Sequence, residues 1–177
     1  MRSTRFWIAL TVVTWLYTVF LLPGMLRPDY SPLAQYISEL GATGAPYAGW
    51  VNWAGYLPSG VFFAIALASF WRQWRPRGVQ IAGLALLFCE PLAWVGSAIF
   101  ACDLGCPAQG SLAQDLHSLL ALFTYTGTAL GVTLLACAPG LRLWQRAGWL
   151  LLVALWLLAF AAMVTSDLAD IRGLMQR

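Results

Sequence analysis

The chain has 177 residues, of which 60% are hydrophobic and 10% charged, and its mean hydropathy is +0.72. A soluble domain carries about 25% charged residues, so this chain has too few charges to cover a water-exposed surface. All ten basic residues are arginines, and they lie at the chain ends and in connections between apolar runs. This distribution is typical of a membrane protein and not of a nucleic-acid-binding surface, so we predict the lipid bilayer, and no nucleic acid, as its surroundings.

Long apolar runs divide the sequence into membrane-spanning segments. A helix needs about 20 apolar residues to cross a bilayer. Five segments meet this length, at about 6–26, 50–71, 79–100, 118–139 and 147–166. The first is too long for the core of a signal peptide and precedes no cleavage site, so we expect it to remain as a span. With no repeat and no second domain in the sequence, we predict one all-α transmembrane domain over residues 1–177.

The positions of the arginines predict how the chain crosses the membrane. If the N-terminus is cytoplasmic, seven arginines lie inside and three outside, and every acidic residue except Glu90 lies outside. The inner arginines are Arg2, Arg5, Arg72, Arg75, Arg77, Arg142 and Arg146. Since positive charge favours the cytoplasmic side, we predict a plasma (inner) membrane protein with a cytoplasmic N-terminus and an extracytoplasmic C-terminus.

The first outer connection contains a pattern typical of a short helix. Residues 31–41 begin with serine and proline and end with glycine, which suit the start and the end of a helix. Apolar residues recur at helical spacing along one face. They are Leu33, Tyr36, Ile37 and Leu40. We predict a helix at about 32–40 on the outer interface, with its apolar face toward lipid or the bundle and with Ser38 and Glu39 on the other side.

The second outer connection, residues 101–117, contains Cys102 and Cys106. On the predicted topology they face an oxidising compartment, so we predict a disulfide that orders this loop. A metal pair or a redox-active dithiol is the alternative. A zinc site would want a second cysteine pair or further histidines, and haem held by two histidines is excluded for a monomer with a single histidine. We therefore predict neither a metal nor a cofactor.

The only histidine, His117, is expected where this loop meets the fourth span. By itself, such a histidine is a capping or hydrogen-bonding group. Other polar side chains of the two outer loops lie at about the same membrane depth, however. They are Asp29, Ser38, Glu39, Asp103 and Asp115. If the loops fold together, these groups form a polar, acidic cup that could bind a cation, a lipid headgroup, a partner or a water for hydrolysis.

Glu90 lies near the middle of the third span, directly before Pro91, with no arginine at the same depth. An ionisable group there costs about a few kcal/mol, which makes it a functional candidate. The alternative is a protonated side chain that is hydrogen bonded to a hydroxyl group or to a carbonyl released by the proline.

Two motifs resemble those of a known family. The first is Asp29-Tyr-Ser-Pro-Leu-Ala-Gln-Tyr-Ile-Ser-Glu-Leu-Gly41. The second is Phe100-Ala-Cys-Asp-Leu-Gly-Cys-Pro107, followed by His117. Together they resemble the prokaryotic integral membrane family known as domain of unknown function 998, from the first span to the last. The resemblance implies a helical membrane bundle with both motifs on one face, and it brings no established activity.

Members of that family usually have a sixth span, which follows a turn similar to Arg172–Arg177. The resemblance therefore implies that a partner helix or a homo-oligomer completes the bundle. Three functions fit the sequence. The main hypothesis is a polytopic protein whose outer cup binds a lipid headgroup, a cation or a partner. The others are a membrane hydrolase that acts on lipid headgroups with His117 and the outer-loop carboxylates, and a small transporter that uses Glu90.

Overall fold

The structure is a computed structural model that describes residues 2–177, except the side-chain environments at positions 2, 24, 166, 167 and 169. Arg2, which the orientation argument counts, is one of these. Every regular element in the described residues is a helix. Five helical segments are long and apolar enough to cross a membrane, and we number them span 1 to span 5. They are Ser3–Leu21, Ala48–Trp74, Val79–Ile99, Leu112–Ala136 and Leu143–Val164. The predicted all-α fold with five spans is confirmed.

Span 4 begins earlier than predicted, at Leu112 instead of 118. The Ser111 hydroxyl accepts a hydrogen bond from the backbone N–H of Gln114 at 3.2 Å, which caps the first turn. The first turn of span 4 contains polar residues, so it does not belong to the apolar run from which the span was predicted. As a consequence, His117 lies inside the helix and not at its entrance.

Three prolines interrupt the regular helices of the spans. They are Pro23, Pro58 and Pro91. A proline ring clashes with the carbonyl four residues earlier and donates no hydrogen bond, so the turn before it must adapt. In each case that turn is irregular. The irregular turns are the π-helical Tyr17–Leu21 and Val51–Tyr56 and the break at residues 87–88. The irregular turns therefore lie directly before each proline.

Consecutive spans pack on each other, from span 1 on span 2 to span 4 on span 5. Spans 3 and 4 approach closely at two glycines, since a Cβ at Gly131 would lie 2.8 Å from the Gly83 carbonyl oxygen. Span 5 packs on span 4 and on the C-terminal helix Arg172–Gln176, and it leaves Leu151 60% and Leu158 64% exposed. The partner helix or second copy expected from the family resemblance stays a prediction.

The connection between spans 1 and 2 and the one between spans 3 and 4 keep the names first and second outer loop, after their predicted side of the membrane. The first outer loop differs from the predicted interfacial helix at 32–40. It has a turn at 32–34 and a shorter 3-10 helix, Ile37–Leu40, whose four residues are all buried. The extended backbone of Tyr36 separates the two parts. Ser38 and Glu39 are thus buried together with their apolar neighbours, because the loop folds into the bundle and does not lie along its surface.

The C-terminal helix covers this loop from the outside. The backbone N–H of Leu174 donates to the carbonyl of Leu33 at 3.0 Å, and the amide oxygen of Gln176 accepts from the backbone N–H of Ile37 at 2.5 Å. The second outer loop joins the first through Thr43 N–H, which donates to the Cys102 carbonyl at 2.8 Å. The two outer loops therefore fold together, as the cup hypothesis required.

We expect Gly131→Ala to lower the stability of the bundle. Its methyl group would meet the Gly83 carbonyl oxygen at 2.8 Å and the Leu86 Cβ at 3.0 Å, and the backbone cannot yield cheaply. Overpacking of this kind costs about 1–3 kcal/mol, measurable by unfolding in detergent. The control is Gly148→Ala, where a Cβ meets nothing within 4 Å. Equal stability of the two variants would contradict the close packing of spans 3 and 4.

Candidate functional site

A disulfide joins Cys102 and Cys106, as predicted, and it lies against the first outer loop. The Ser38 hydroxyl oxygen is 3.4 Å from the Cys106 sulfur, and the Ser38 carbonyl oxygen is 3.5 Å from the Cys102 sulfur. Cys102 is completely buried. The disulfide therefore holds the second loop against the 3-10 helix and fixes the position of Ser38.

His117 is buried near the outer end of span 4, and its Nδ1 lies 2.9 Å from the carbonyl oxygen of Phe100. Span 3 ends at Ile99, so this carbonyl is one that the helix leaves without an internal partner. A carbonyl oxygen only accepts, so Nδ1 carries the hydrogen, and in the neutral ring Nε2 has a free lone pair. Nε2 has no hydrogen bond within the described part of the chain.

Asp103 does not reach His117, because it caps the start of span 4. Its carboxylate accepts from the backbone N–H of Ser111 at 2.7 Å and from the Ser111 hydroxyl at 2.8 Å. These hydrogen bonds, the backbone one first, hold the pKa of Asp103 below its ordinary value. This carboxylate is an element of the loop structure.

Glu39 is also engaged elsewhere. Its carboxylate accepts from the backbone N–H of Tyr36 at 3.0 Å and from the Gln35 amide at 3.1 Å, and it pairs with Arg172 at 3.5 Å. The Arg172 guanidinium also lies over the Tyr36 ring, 4.5 Å from its centroid. Glu39 therefore holds the C-terminal helix on the first loop, and these partners explain how a carboxylate is tolerated in a buried position.

The remaining two acids of the predicted cup are exposed. Asp29 pairs with Arg27 at 3.4 Å, and the Asp29 side chain is 76% exposed. Its own backbone N–H and then Arg27 lower the pKa of Asp29. Asp115 is exposed and makes no side-chain hydrogen bond in the described structure. The four predicted carboxylates thus do not gather around His117, because local caps and ion pairs hold them apart.

Ser38 and His117 instead line two adjoining cavities. The outer compartment, about 400 Å³, lies between the outer ends of spans 4 and 5 and the two outer loops. Its lining includes polar side chains of span 4 and of the C-terminal helix. These are Gln114, Ser118, Arg172 and Gln176. Arg172 brings positive charge, and no carboxylate occurs among the described residues that line this compartment.

The inner compartment, about 450 Å³, lies between the spans and contains Glu90. The Thr128 hydroxyl donates to Glu90 Oε1 at 3.4 Å. Aromatic side chains from all five spans line the cavity. They are Trp15, Tyr56, Phe63, Trp94, Tyr125 and Trp156. The third span therefore turns Glu90 toward the bundle interior.

The two compartments share four lining residues. These are Ser38, His117, Ala121 and Gln176. Glu90 and His117, which the sequence suggested as separate sites, thus belong to one connected pair of cavities. No spacing in the sequence relates these two residues, and Arg172 and Gln176 were not predicted as site residues. The polar composition of the C-terminal turn was the signal that could have indicated them.

The family model described as "Protein of unknown function (DUF998)" matches residues 10–177, nearly the whole chain. The chain belongs to the DUF998 family. The match includes both outer loops and both compartments, and together with the five apolar spans it makes this DUF998 protein a multi-pass membrane protein. No curated protein and no solved structure matches the chain.

We expect Asp103→Asn to lower the melting temperature at neutral pH, because an amide offers one acceptor oxygen where the carboxylate uses two. The folded pKa of Asp103 is below its ordinary value of 3.8. The stabilisation is thus fully present above that value and is lost as the pH falls through the lower, folded pKa. The gap between wild type and variant should therefore close between about pH 5 and pH 2.

Asp115→Asn is the matched control, since it removes a carboxylate of the same helix start that makes no described side-chain hydrogen bond. It should leave the melting temperature nearly unchanged at every pH. A gap between wild type and Asp103→Asn that is constant with pH would contradict the capping role.

Proposed function

We propose that this protein binds the anionic headgroup of a membrane lipid in the outer compartment, with the acyl chains against the seam between spans 4 and 5. The observation that carries the proposal is the two-sided lining of this compartment. One side offers Arg172 and uncharged polar groups, and the other is built from apolar residues of the two spans. Those apolar residues are Leu122, Phe160, Met163 and Val164.

The polar side suits a phosphate. Arg172 Nε donates to the Ala34 carbonyl at 3.0 Å and its Nη2 faces Glu39, so the guanidinium is held in one orientation. Its side chain is 33% exposed, which leaves part of it open to a ligand. Phosphate oxygens pair well with a fixed guanidinium and with amide and hydroxyl donors such as Gln176 and Ser118.

The apolar side suits an acyl chain. Phe160 stacks on Tyr125 with ring centroids 4.4 Å apart, and the Tyr125 hydroxyl donates to the sulfur of buried Met163 at 3.6 Å. Val164, at the outer end of the seam, is 63% exposed. The seam is therefore a firmly packed surface that continues onto the lipid-facing side of span 5.

The other two hypotheses receive different support. A hydrolase would need a carboxylate or metal ligands beside His117, and the described acids are held elsewhere, so the geometry does not favour it. A transporter needs a route to Glu90, and the shared boundary of the compartments supplies one end of such a route. Since transport also needs an opening on the other side, the transporter stays a prediction.

To test headgroup binding, a phosphatidylglycerol with a photoreactive acyl chain is crosslinked to the protein in nanodiscs. We expect labelling of spans 4 and 5 in the wild type and a severalfold loss in Ser118→Trp, whose ring would fill the outer compartment. The control, Leu119→Trp, adds the same ring on the neighbouring, 60% exposed position outside the compartment. Equal labelling of both variants, at matched melting temperatures, would contradict the proposed site.

We also propose that the protein resides in the plasma membrane, with the N-terminus in the cytoplasm. Three contacts support the placement of the N-terminus and the two arginine-rich connections at the same end of the bundle. Gln73 hydrogen bonds to Thr4, and Arg146 donates to the Ala138 carbonyl at 3.4 Å. The close approach of Gly83 and Gly131 brings the start of span 3 next to the end of span 4. The arginine-rich connections thus share the end that carries the N-terminus, and the disulfide loop lies at the other end.

Reporter fusions test this orientation. Alkaline phosphatase fused after residue 177 should be active, because the enzyme needs an oxidising compartment, and the same reporter fused in the connection at 72–78 should be inactive. Fluorescent-protein fusions at the same two positions should give the reciprocal pattern. The reverse pattern in both reporters would overturn the orientation.

A further inference from the structure

The inner compartment contains an ionisable group whose role the headgroup proposal does not explain. Glu90 lies nine residues before the end of span 3 at Ile99, which puts it about 13 Å below the outer end of that helix. This depth is near the middle of a bilayer, where a carboxylate is costly unless something compensates its charge. Its neighbours Thr128, whose hydroxyl donates at 3.4 Å, Thr124 and Trp94 are neutral groups and supply no counter-charge.

Apart from the phenol groups of Tyr56 and Tyr125, the other charged or titratable groups on the lining lie at the outer end of the compartment. Arg177 donates to the carbonyl of Gly173 at 2.8 Å and to the Tyr30 hydroxyl at 2.6 Å, and His117 bonds to the Phe100 carbonyl. No ion pair joins Glu90 to an arginine within the described residues. The Thr124 hydroxyl is buried, lines the same cavity and lies near the Glu90 carboxyl group.

The walls around Glu90 are aromatic and mutually braced. The rings of Tyr125 and Trp156 lie 4.9 Å apart, and the Trp156 indole N–H donates to the Tyr125 carbonyl at 3.1 Å. On the opposite side, Tyr56 and Trp94 meet edge to face at 5.6 Å. Aromatic faces attract cations, most strongly in places from which water is excluded.

We propose that the inner compartment is a binding site for a monovalent organic cation, a protonated amine or a quaternary ammonium group, with Glu90 as counter-ion and the aromatic residues as walls. The proposal concerns a different compartment from the headgroup site and does not depend on which lipid binds there. Ser38, His117, Ala121 and Gln176 form the boundary through which the ligand passes between the two compartments.

The lining favours an organic cation over a bare metal ion. Hard inorganic cations need several oxygen ligands at short distance, carboxylates above all. Glu90 is the only carboxylate among the described residues that line the compartment, and the seven hydroxyl groups there are neutral and accompanied by six aromatic rings. The volume of about 450 Å³ is also in the range of sites for small organic molecules. An apolar shell with one carboxylate is the environment in which an alkylated ammonium group loses little hydration and gains the charge pairing.

The test compares choline with its uncharged carbon isostere, 3,3-dimethylbutan-1-ol, in equilibrium binding to the purified full-length protein in nanodiscs. The two molecules have nearly the same shape, so a difference in affinity reports the charge. We expect saturable choline binding and at least about tenfold weaker binding of the isostere. Equal affinity of the two would overturn the proposal, and this comparison needs no variant.

Variants locate the site. Glu90→Gln should weaken choline binding about tenfold or more, because the counter-ion is lost while the shape is kept. Trp156→Leu should weaken it severalfold, and Asp115→Asn, which removes an exposed acid outside both compartments, should leave it unchanged. If Asp115→Asn and Glu90→Gln have the same effect, the site is not at Glu90. The two proposals can fail independently. Lipid labelling of Ser118→Trp tests only the headgroup site, and the difference in affinity between choline and its isostere tests only the inner compartment.

Two further ligands identify the source of the cation. Decyltrimethylammonium carries the charged group on an alkyl chain, so tighter binding than choline indicates a lipid-borne cation, and tighter binding of choline indicates a free one. Sodium chloride alone is the second of these two ligands. A thermal stabilisation by sodium that equals that by choline and is lost in Glu90→Gln would replace the proposal with an inorganic-ion site.

Discussion

Backbone polar groups inside a bilayer must find partners within the protein, and the prolines of the spans remove some of them. Irregular turns occur next to these prolines, and one of the turns supplies side chains that hydrogen bond to the first outer loop. In the π-helical turn Val51–Tyr56, the Asn52 amide donates to the Gly41 carbonyl at 2.9 Å and the Tyr56 hydroxyl donates to the Ile37 carbonyl. The proline at position 58 thus determines a turn whose side chains hold both ends of the buried 3-10 helix.

That helix in turn borders both compartments through Ser38. The outer compartment receives Arg172 from the C-terminal helix, and the inner compartment contains Glu90 behind the break that Pro91 imposes on span 3. His117 lies between them, with Nδ1 fixed by the last carbonyl of span 3. Arg172 is paired with Glu39 at 3.5 Å, whereas no ion pair joins Glu90 to an arginine within the described residues.

The sequence predicted the features that depend on composition and local spacing. Five apolar runs suffice for five spans, and two cysteines in a short outer loop suffice for a disulfide. The arrangement of the predicted cup could not be derived in the same way. Asp103 and Glu39 accept local hydrogen bonds from Ser111 and Tyr36, and an equally polar sequence need not form these bonds. That Glu90 and His117 border connected cavities depends on how spans 3 and 4 pack, which no sequence spacing reports.

The C-terminal segment packs over the first outer loop. Arg177 donates to the Tyr30 hydroxyl, and burial raises the pKa of Tyr30 more than this arginine lowers it, so the phenol stays neutral and acts as a hydrogen-bonding bridge. Gly173 allows the helix to touch the Gln35 carbonyl, where a Cβ would collide. The segment therefore covers the outer end of the bundle. The two compartments below it remain available to ligands that enter through the outer compartment.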